Sequence, residues 1–94
     1  MPYFPTEHTD TLLAEDTVTG LQSHVILYND DEHTIEEVVV QIVLATGYSF
    51  PYAMKLTMAV HTSGKETVFT GTISDCLRVA SVLQEIQLQT EIVF

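Results

Sequence analysis

The chain has 94 residues, with 13 acidic side chains against 3 basic ones and a single cysteine. At this length one domain with one modest core is expected. So acidic a surface argues against nucleic acid and anionic membranes and favours a cationic ligand or basic partner, while the lone Cys76 excludes an internal disulfide and a cysteine-based metal site.

Residues 1–22 read as a flexible N-terminal tail. They mix Pro2, Pro5, His8 and Asp10 without sustained periodicity, and Leu12-Leu13-Ala14 is their one apolar cluster. They lack the basic start and apolar centre of a signal peptide. No stretch of the chain approaches the roughly 20 apolar residues of a membrane span. A cytoplasmic location is the expectation.

A domain is expected over residues 23–94. His24 to Tyr28 alternates as a strand, with Val25 and Leu27 on one side and Ile26 and Tyr28 on the other. Asn29-Asp30-Asp31 interrupts it. Residues 34–46 carry the strand-favouring run Val38-Val39-Val40 and Ile42-Val43. The spacing of Ile35, Val38, Val39, Ile42 and Val43, the capping box Thr34-x-x-Glu37 and the stop at Gly47 predict a helix instead. A second helix follows Ser49, with Pro51 in its first turn and Ala53, Leu56, Thr57 and Val60 on one face, and ends at Ser63-Gly64. Lys65 to Thr70 reads as a strand. Thr72 caps a third helix whose apolar stripe is Ile73, Cys76, Leu77, Ala80, Leu83 and Ile86. Leu88, Thr90, Ile92 and Phe94 alternate as a closing strand. The sum is an α+β domain, a three-stranded antiparallel sheet packed on three helices in the order β-α-α-β-α-β.

The chemistry concentrates in Asn29-Asp30-Asp31 and His61. An amide, two carboxylates and an imidazole can form an acceptor-rich site for a positively charged group. Each also has a plainer reading. Asn and Asp favour turns, and a histidine near a helix end is a favourable cation at the C-terminus. Asp30, Asp31, His33 and His61 could instead hold a divalent metal, although their spacing matches no metal motif. No Ser or Thr sits in a nucleophile motif.

Two motifs carry a resemblance. Leu27-Tyr28-Asn29-Asp30-Asp31 before a helix start, and Leu56-Thr57-Met58-Ala59-Val60-His61 before Gly64-Lys65, resemble the ClpS family of protease adaptors, with matching separation. The likeness spans residues 24–94. The same domain occurs within ubiquitin ligases of the N-degron pathway. The resemblance implies a non-enzymatic, cofactor-free, monomeric adaptor of the cytoplasm or plastid stroma. Such a protein binds substrates that begin with Leu, Phe, Tyr or Trp and hands them to a ClpA- or ClpC-type AAA+ unfoldase, which feeds ClpP. It assigns the substrate's α-amino group to Asn29, Asp30 and His61. It assigns the side-chain pocket or its rim to Asp31, His33, Ile35, Val38, Thr57 and Val60, with Leu88 added from the segment before the last strand.

Two positions depart from the family pattern. Ile35 and Thr57 stand where many bacterial members have methionine, which implies a shifted side-chain preference. Val79 stands where some members carry a lysine that docks on the unfoldase. The competing readings are a metal-dependent hydrolase built on Asp30, Asp31, His33 and His61, and a structural interaction domain of ribosomal-stalk type.

Overall fold

The computed structural model describes residues 21–94. The expected tail therefore lies outside the described residues, apart from Leu21 and Gln22. Six elements follow in the expected order: β1 (Ser23–Tyr28), α1 (Ile35–Thr46), α2 (Phe50–Ser63), β2 (Lys65–Gly71), α3 (Ile73–Gln84) and β3 (Thr90–Val93). The sheet order is β2-β1-β3, with both pairings antiparallel. The first strand of the described residues is thus the central one. Its partners lie far along the sequence: Tyr28 opposes Lys65 in β2, and Leu27 opposes Thr90 in β3. A register shift between Val25 and Ile26 leaves Val68 as the extra residue of β2.

The central strand sorts its side chains by alternation. Val25 and Leu27 are fully buried, whereas His24, Ile26 and Tyr28 are half-buried on the opposite face. There the His24 ring meets the Thr70 hydroxyl at 2.9 Å.

α1 is a helix despite its β-branched run because both ends are well satisfied. Thr34 Oγ1 accepts from the Glu37 amide at 3.1 Å, and Glu37 Oε1 accepts from the Thr34 amide at 2.8 Å. Gly47 closes the helix at φ 79°. Val39, Ile42 and Ala45 then enter the core. Gln41, also buried, donates to the Val82 carbonyl at 2.7 Å, and Arg78 donates to the Ala45 carbonyl at 3.2 Å. These two bonds fasten α1 alongside α3. α2 is capped by Ser49, carries Pro51 in its first turn and buries Ala53, Thr57 and Val60, with Leu56 half-buried beside them.

α3 departs from expectation in its stripe. Leu77 is 57% exposed, and Val79 is fully buried in its place. Cys76, Val79, Ala80 and Leu83 form the i, i+3, i+4, i+7 face, which sets Leu77 at its edge. Val79 therefore offers no docking surface; the exposed basic residue of that turn is Arg78, which also lies 3.6 Å from Asp75. Cys76 is a buried core residue whose thiol is pushed up by that burial. α3 also stops two residues short of Ile86, which packs on the core from a turn. Gln87 in that turn has φ 66°, and the Leu88 amide donates back to the Leu83 carbonyl at 3.4 Å. This is a left-handed helix stop built without glycine. β3 begins at Thr90 rather than Leu88, and Phe94, expected to continue its alternation, is 84% exposed beyond the strand.

Among the described residues no buried side-chain nitrogen or oxygen lacks a hydrogen-bond partner, and no helix is long and apolar enough to cross a membrane.

Candidate functional site

Two backbone bonds at the end of β1 build the site. The Tyr28 amide donates to the Gln89 carbonyl at 3.0 Å, and the Asn29 amide donates to the Gly64 carbonyl at 2.9 Å. The first holds the segment carrying Leu88 against the strand. The second holds Asn29 against the end of α2, one turn beyond His61. Gly64 permits this by taking φ 88°, where its amide caps α2 through the Val60 carbonyl at 2.8 Å.

Between these elements lies a cleft of about 290 Å³. All ten residues assigned to the site line it: Asn29, Asp30 and His61, with Asp31, His33, Ile35, Val38, Thr57, Val60 and Leu88. Leu27, Tyr28 and Thr34 line it as well. These three were not assigned to the site, although Leu27 and Tyr28 open the first motif and Thr34 is the helix cap. Tyr28 is the most engaged of them. Its hydroxyl donates to Glu91 at 2.6 Å, and Lys65 Nζ lies 5.7 Å from its ring centre.

The cleft has two kinds of wall. Thr57, Val60 and Leu88 are buried and Ile35 and Val38 half-buried, so one side is an apolar cup. The Thr57 hydroxyl donates to the Ala53 carbonyl at 2.8 Å, which leaves it no free proton for a ligand. On the other side Asn29, Asp31 and His61 are exposed.

Asp30 is occupied within its own loop. Oδ1 accepts from the backbone amides of Glu32 and His33 at 3.0 and 3.1 Å, and Oδ2 lies 2.9 Å from His33 Nδ1. Turn chemistry of this kind was the plainer reading of the motif. Partial burial pulls the Asp30 carboxyl upward, but the His33 ring and the two amides outweigh it and hold the group below the ordinary carboxylate range. The loop charge also sits beside the N-terminus of α1, whose dipole favours it.

His33 is the least expected member. Its Nε2 lies 2.6 Å from the Ile86 carbonyl while Nδ1 faces Asp30. The hydrogen bond to Asp30, and then the one to Ile86, raise its pKa above the ordinary imidazole value despite some desolvation. Both His33 ring nitrogens face protein oxygens, so neither is turned towards a metal. Among the described residues no group of three or more His, Cys, Asp or Glu side chains is placed to hold a metal ion.

Comparison with known proteins now bears on this geometry. No curated protein sequence matches the chain. Among solved structures, one similar fold is that of Agrobacterium tumefaciens ClpS2 bound to L-phenylalaninamide. It is 20% identical, covers 76% of this chain and 95% of that one, and has a TM-score of 0.68. The family model for the ATP-dependent Clp protease adaptor protein ClpS matches residues 20–91. With three-quarters of its length so matched, the chain belongs to the ClpS family.

Proposed function

We propose that this protein is a non-enzymatic, monomeric adaptor whose cleft receives the first residue of a substrate protein. The observation that carries this reading is the pairing of an apolar cup with an acceptor-rich, exposed end in one cleft. A free α-amino group, with a pKa of about 8, is mostly cationic at neutral pH and presents three N–H donors. Asn29 offers its amide oxygen, and a neutral His61 offers one ring nitrogen. Asp30 supplies negative charge rather than a bare oxygen, since its carboxylate is already engaged in the turn. Its remaining lone pair or an intervening water makes the contact. An acetylated or internal residue has one amide N–H and no charge, so it leaves these acceptors unpaired.

The cup formed by Ile35, Val38, Thr57, Val60 and Leu88 takes the side chain. Full burial of a Leu or Phe side chain contributes roughly 1.5–3 kcal/mol. Each charge-assisted hydrogen bond adds roughly 1.5–3 kcal/mol. The entropy of association opposes both, which puts the affinity in the micromolar range. The phenylalaninamide bound to the Agrobacterium protein has this chemistry, a free amine beside an aromatic side chain. The captured substrate is then delivered to a ClpA- or ClpC-type unfoldase. Because the docking-lysine position is occupied by buried Val79, that docking uses other residues.

The test is a titration with a Phe-initiated peptide and its N-acetylated twin. Binding is expected for the free amine alone, and is expected to fall in His61→Ala. Equal binding of both peptides, or full binding by an Asp30→Ala, His61→Ala double variant, would refute the reading.

A further inference from the structure

We infer that His33 is a positioning residue: held as an imidazolium between Asp30 and the Ile86 carbonyl, it joins the Asn29–Thr34 loop to the α3–β3 turn and so keeps the two walls of the cleft together. The inference rests on the proposed amine-binding role for what it says of ligands, but its geometry stands alone. A neutral imidazole donates from one nitrogen only. Here both nitrogens face acceptors, a carboxylate at 2.9 Å and a carbonyl at 2.6 Å. The carbonyl has no proton to give. The carboxylate already accepts two backbone amides on its other oxygen, which favours its ionised form. A cationic ring satisfies both contacts at once.

What the ring connects gives it consequence. Asp30 belongs to the loop that carries Asn29 and Asp31. Ile86 stands two residues before Leu88, in the turn whose left-handed Gln87 directs the chain back into the cleft. The ring lines the cleft itself and also a second hollow shared with Glu36, Glu37, Val40, Gln41 and Ile86. It therefore sits at the seam between loop, helix and turn.

The charges around the ring favour its proton. The loop contributes Asp30 and Asp31, and the first turn of α1 contributes Glu36 and Glu37. The α3–β3 turn contributes the Ile86 carbonyl dipole. Among the residues that line the cleft, His61 on α2 is the other basic group, and a bound α-ammonium would bring a further positive charge. Because the ring's pKa is raised on folding, its contribution is complete below the unfolded value of about 6.5 and is lost as pH rises through the folded value. Above that point the ring can keep only one of its two contacts, and the seam loosens.

The experiment uses the whole chain and two variants, His33→Gln and His33→Arg. Gln keeps a polar side chain but carries no titratable proton; Arg keeps the charge at every pH. Nitrogen-resolved NMR of the free protein should show His33 doubly protonated at pH 6.5 and titrating above the free-histidine value. Peptide affinity, with Phe first, is measured for all three proteins from pH 6.5 to 8.5. The ligand's own amine titrates identically against each, so it cancels in the ratios. At pH 6.5 His33→Gln should bind about three- to tenfold more weakly, the loss of one indirectly acting hydrogen bond. That gap should close as pH rises and the native ring deprotonates. His33→Arg should recover part of the affinity and hold the same advantage over His33→Gln at every pH, so that the native protein falls towards it as the ring deprotonates. A pH-independent gap, or a His33 that is a neutral single donor at pH 6.5, would overturn the inference. If no protein binds the peptide at all, the amine-binding reading fails, and the NMR titration still decides the state of His33.

Discussion

The amide of Asn29 donates to the carbonyl of Gly64 at 2.9 Å, and this one bond sets the loop after β1 against the last turn of α2. Gly64 holds its carbonyl there at φ 88°, with open space where a Cβ would stand. The cost of replacing it is therefore conformational rather than steric. Gly64→Ala is expected to destabilise the fold by about 1–2 kcal/mol, read as a lowered denaturant midpoint. Peptide affinity should fall with it, since Asn29 and His61 lose their common anchor. An unchanged midpoint would show that the turn tolerates a side chain.

The opposite change is expected at Gln87, where a residue other than glycine holds φ 66°. Gln87→Gly should raise stability by about 0.5–1 kcal/mol by relieving the left-handed backbone, less the added chain entropy of glycine. Thermal unfolding of the two proteins side by side measures it. A lower melting temperature for the glycine variant would mean that entropy outweighs the relief.

Removing the helix cap should matter as much. Thr34→Ala breaks the reciprocal pair with Glu37 and should cost about 1 kcal/mol. Exchange of the first-turn amides of α1 with solvent should speed up. Ile35 and Val38 stand on that turn, so the same variant is expected to weaken peptide binding more than a capping loss elsewhere, such as Thr72→Ala at α3.

Acid should act through Asp30. A carboxyl held below its unfolded value of about 3.9 adds stability above that pH. The contribution is lost as pH falls through the lowered folded value. Asp30→Asn keeps an acceptor for the Glu32 and His33 amides but removes the charge. Its stability should be lower than that of the native protein at neutral pH, with the gap narrowing as the solution is acidified. A gap that widens in acid would contradict the assignment.

Specificity should follow Ile35 and Thr57. Thr57 is smaller than methionine, and its hydroxyl is bound to Ala53, so the cup is expected to favour bulky aromatics. Against peptides differing only in their first residue, Phe, Tyr and Trp should outrank Leu. Thr57→Met should reverse that order by about tenfold, the lower end of what one methylene decides in an apolar pocket. An unchanged profile across Leu, Phe, Tyr and Trp would sink the idea.

The elements that were legible in the sequence are those with local signals. α1 was decided by Thr34, Glu37 and Gly47 against a run of β-branched residues, because caps and periodicity are written within a few positions of each other. The stripe of α3 departs from the sequence pattern at Leu77 and Val79, since neighbouring positions on a helix differ by about 100° and only packing chooses between them. The ten cleft residues come together, yet the couplings inside the cleft were not readable. His33 and Ile86 are 53 positions apart, and no local pattern announces that an imidazole will meet a carbonyl so distant. Asp30 showed its charge and its turn preference in the sequence; that the Glu32 and His33 amides would take one oxygen and the His33 ring the other required the folded loop.

The placement of β1 at the centre of the sheet has a consequence for how the protein comes into being. Among the described strands it is the first to be synthesised, and both its neighbours are made later, at residues 65–71 and 90–93. Gly64 and Gln89, which hold the two ends of the cleft, arrive with them. A chain still on the ribosome thus carries the Asn-Asp-Asp motif without any receptor around it. Closure over such long separations is slow compared with helix formation. The finished fold, and not its nascent form, is the first species in which the cleft has all its walls.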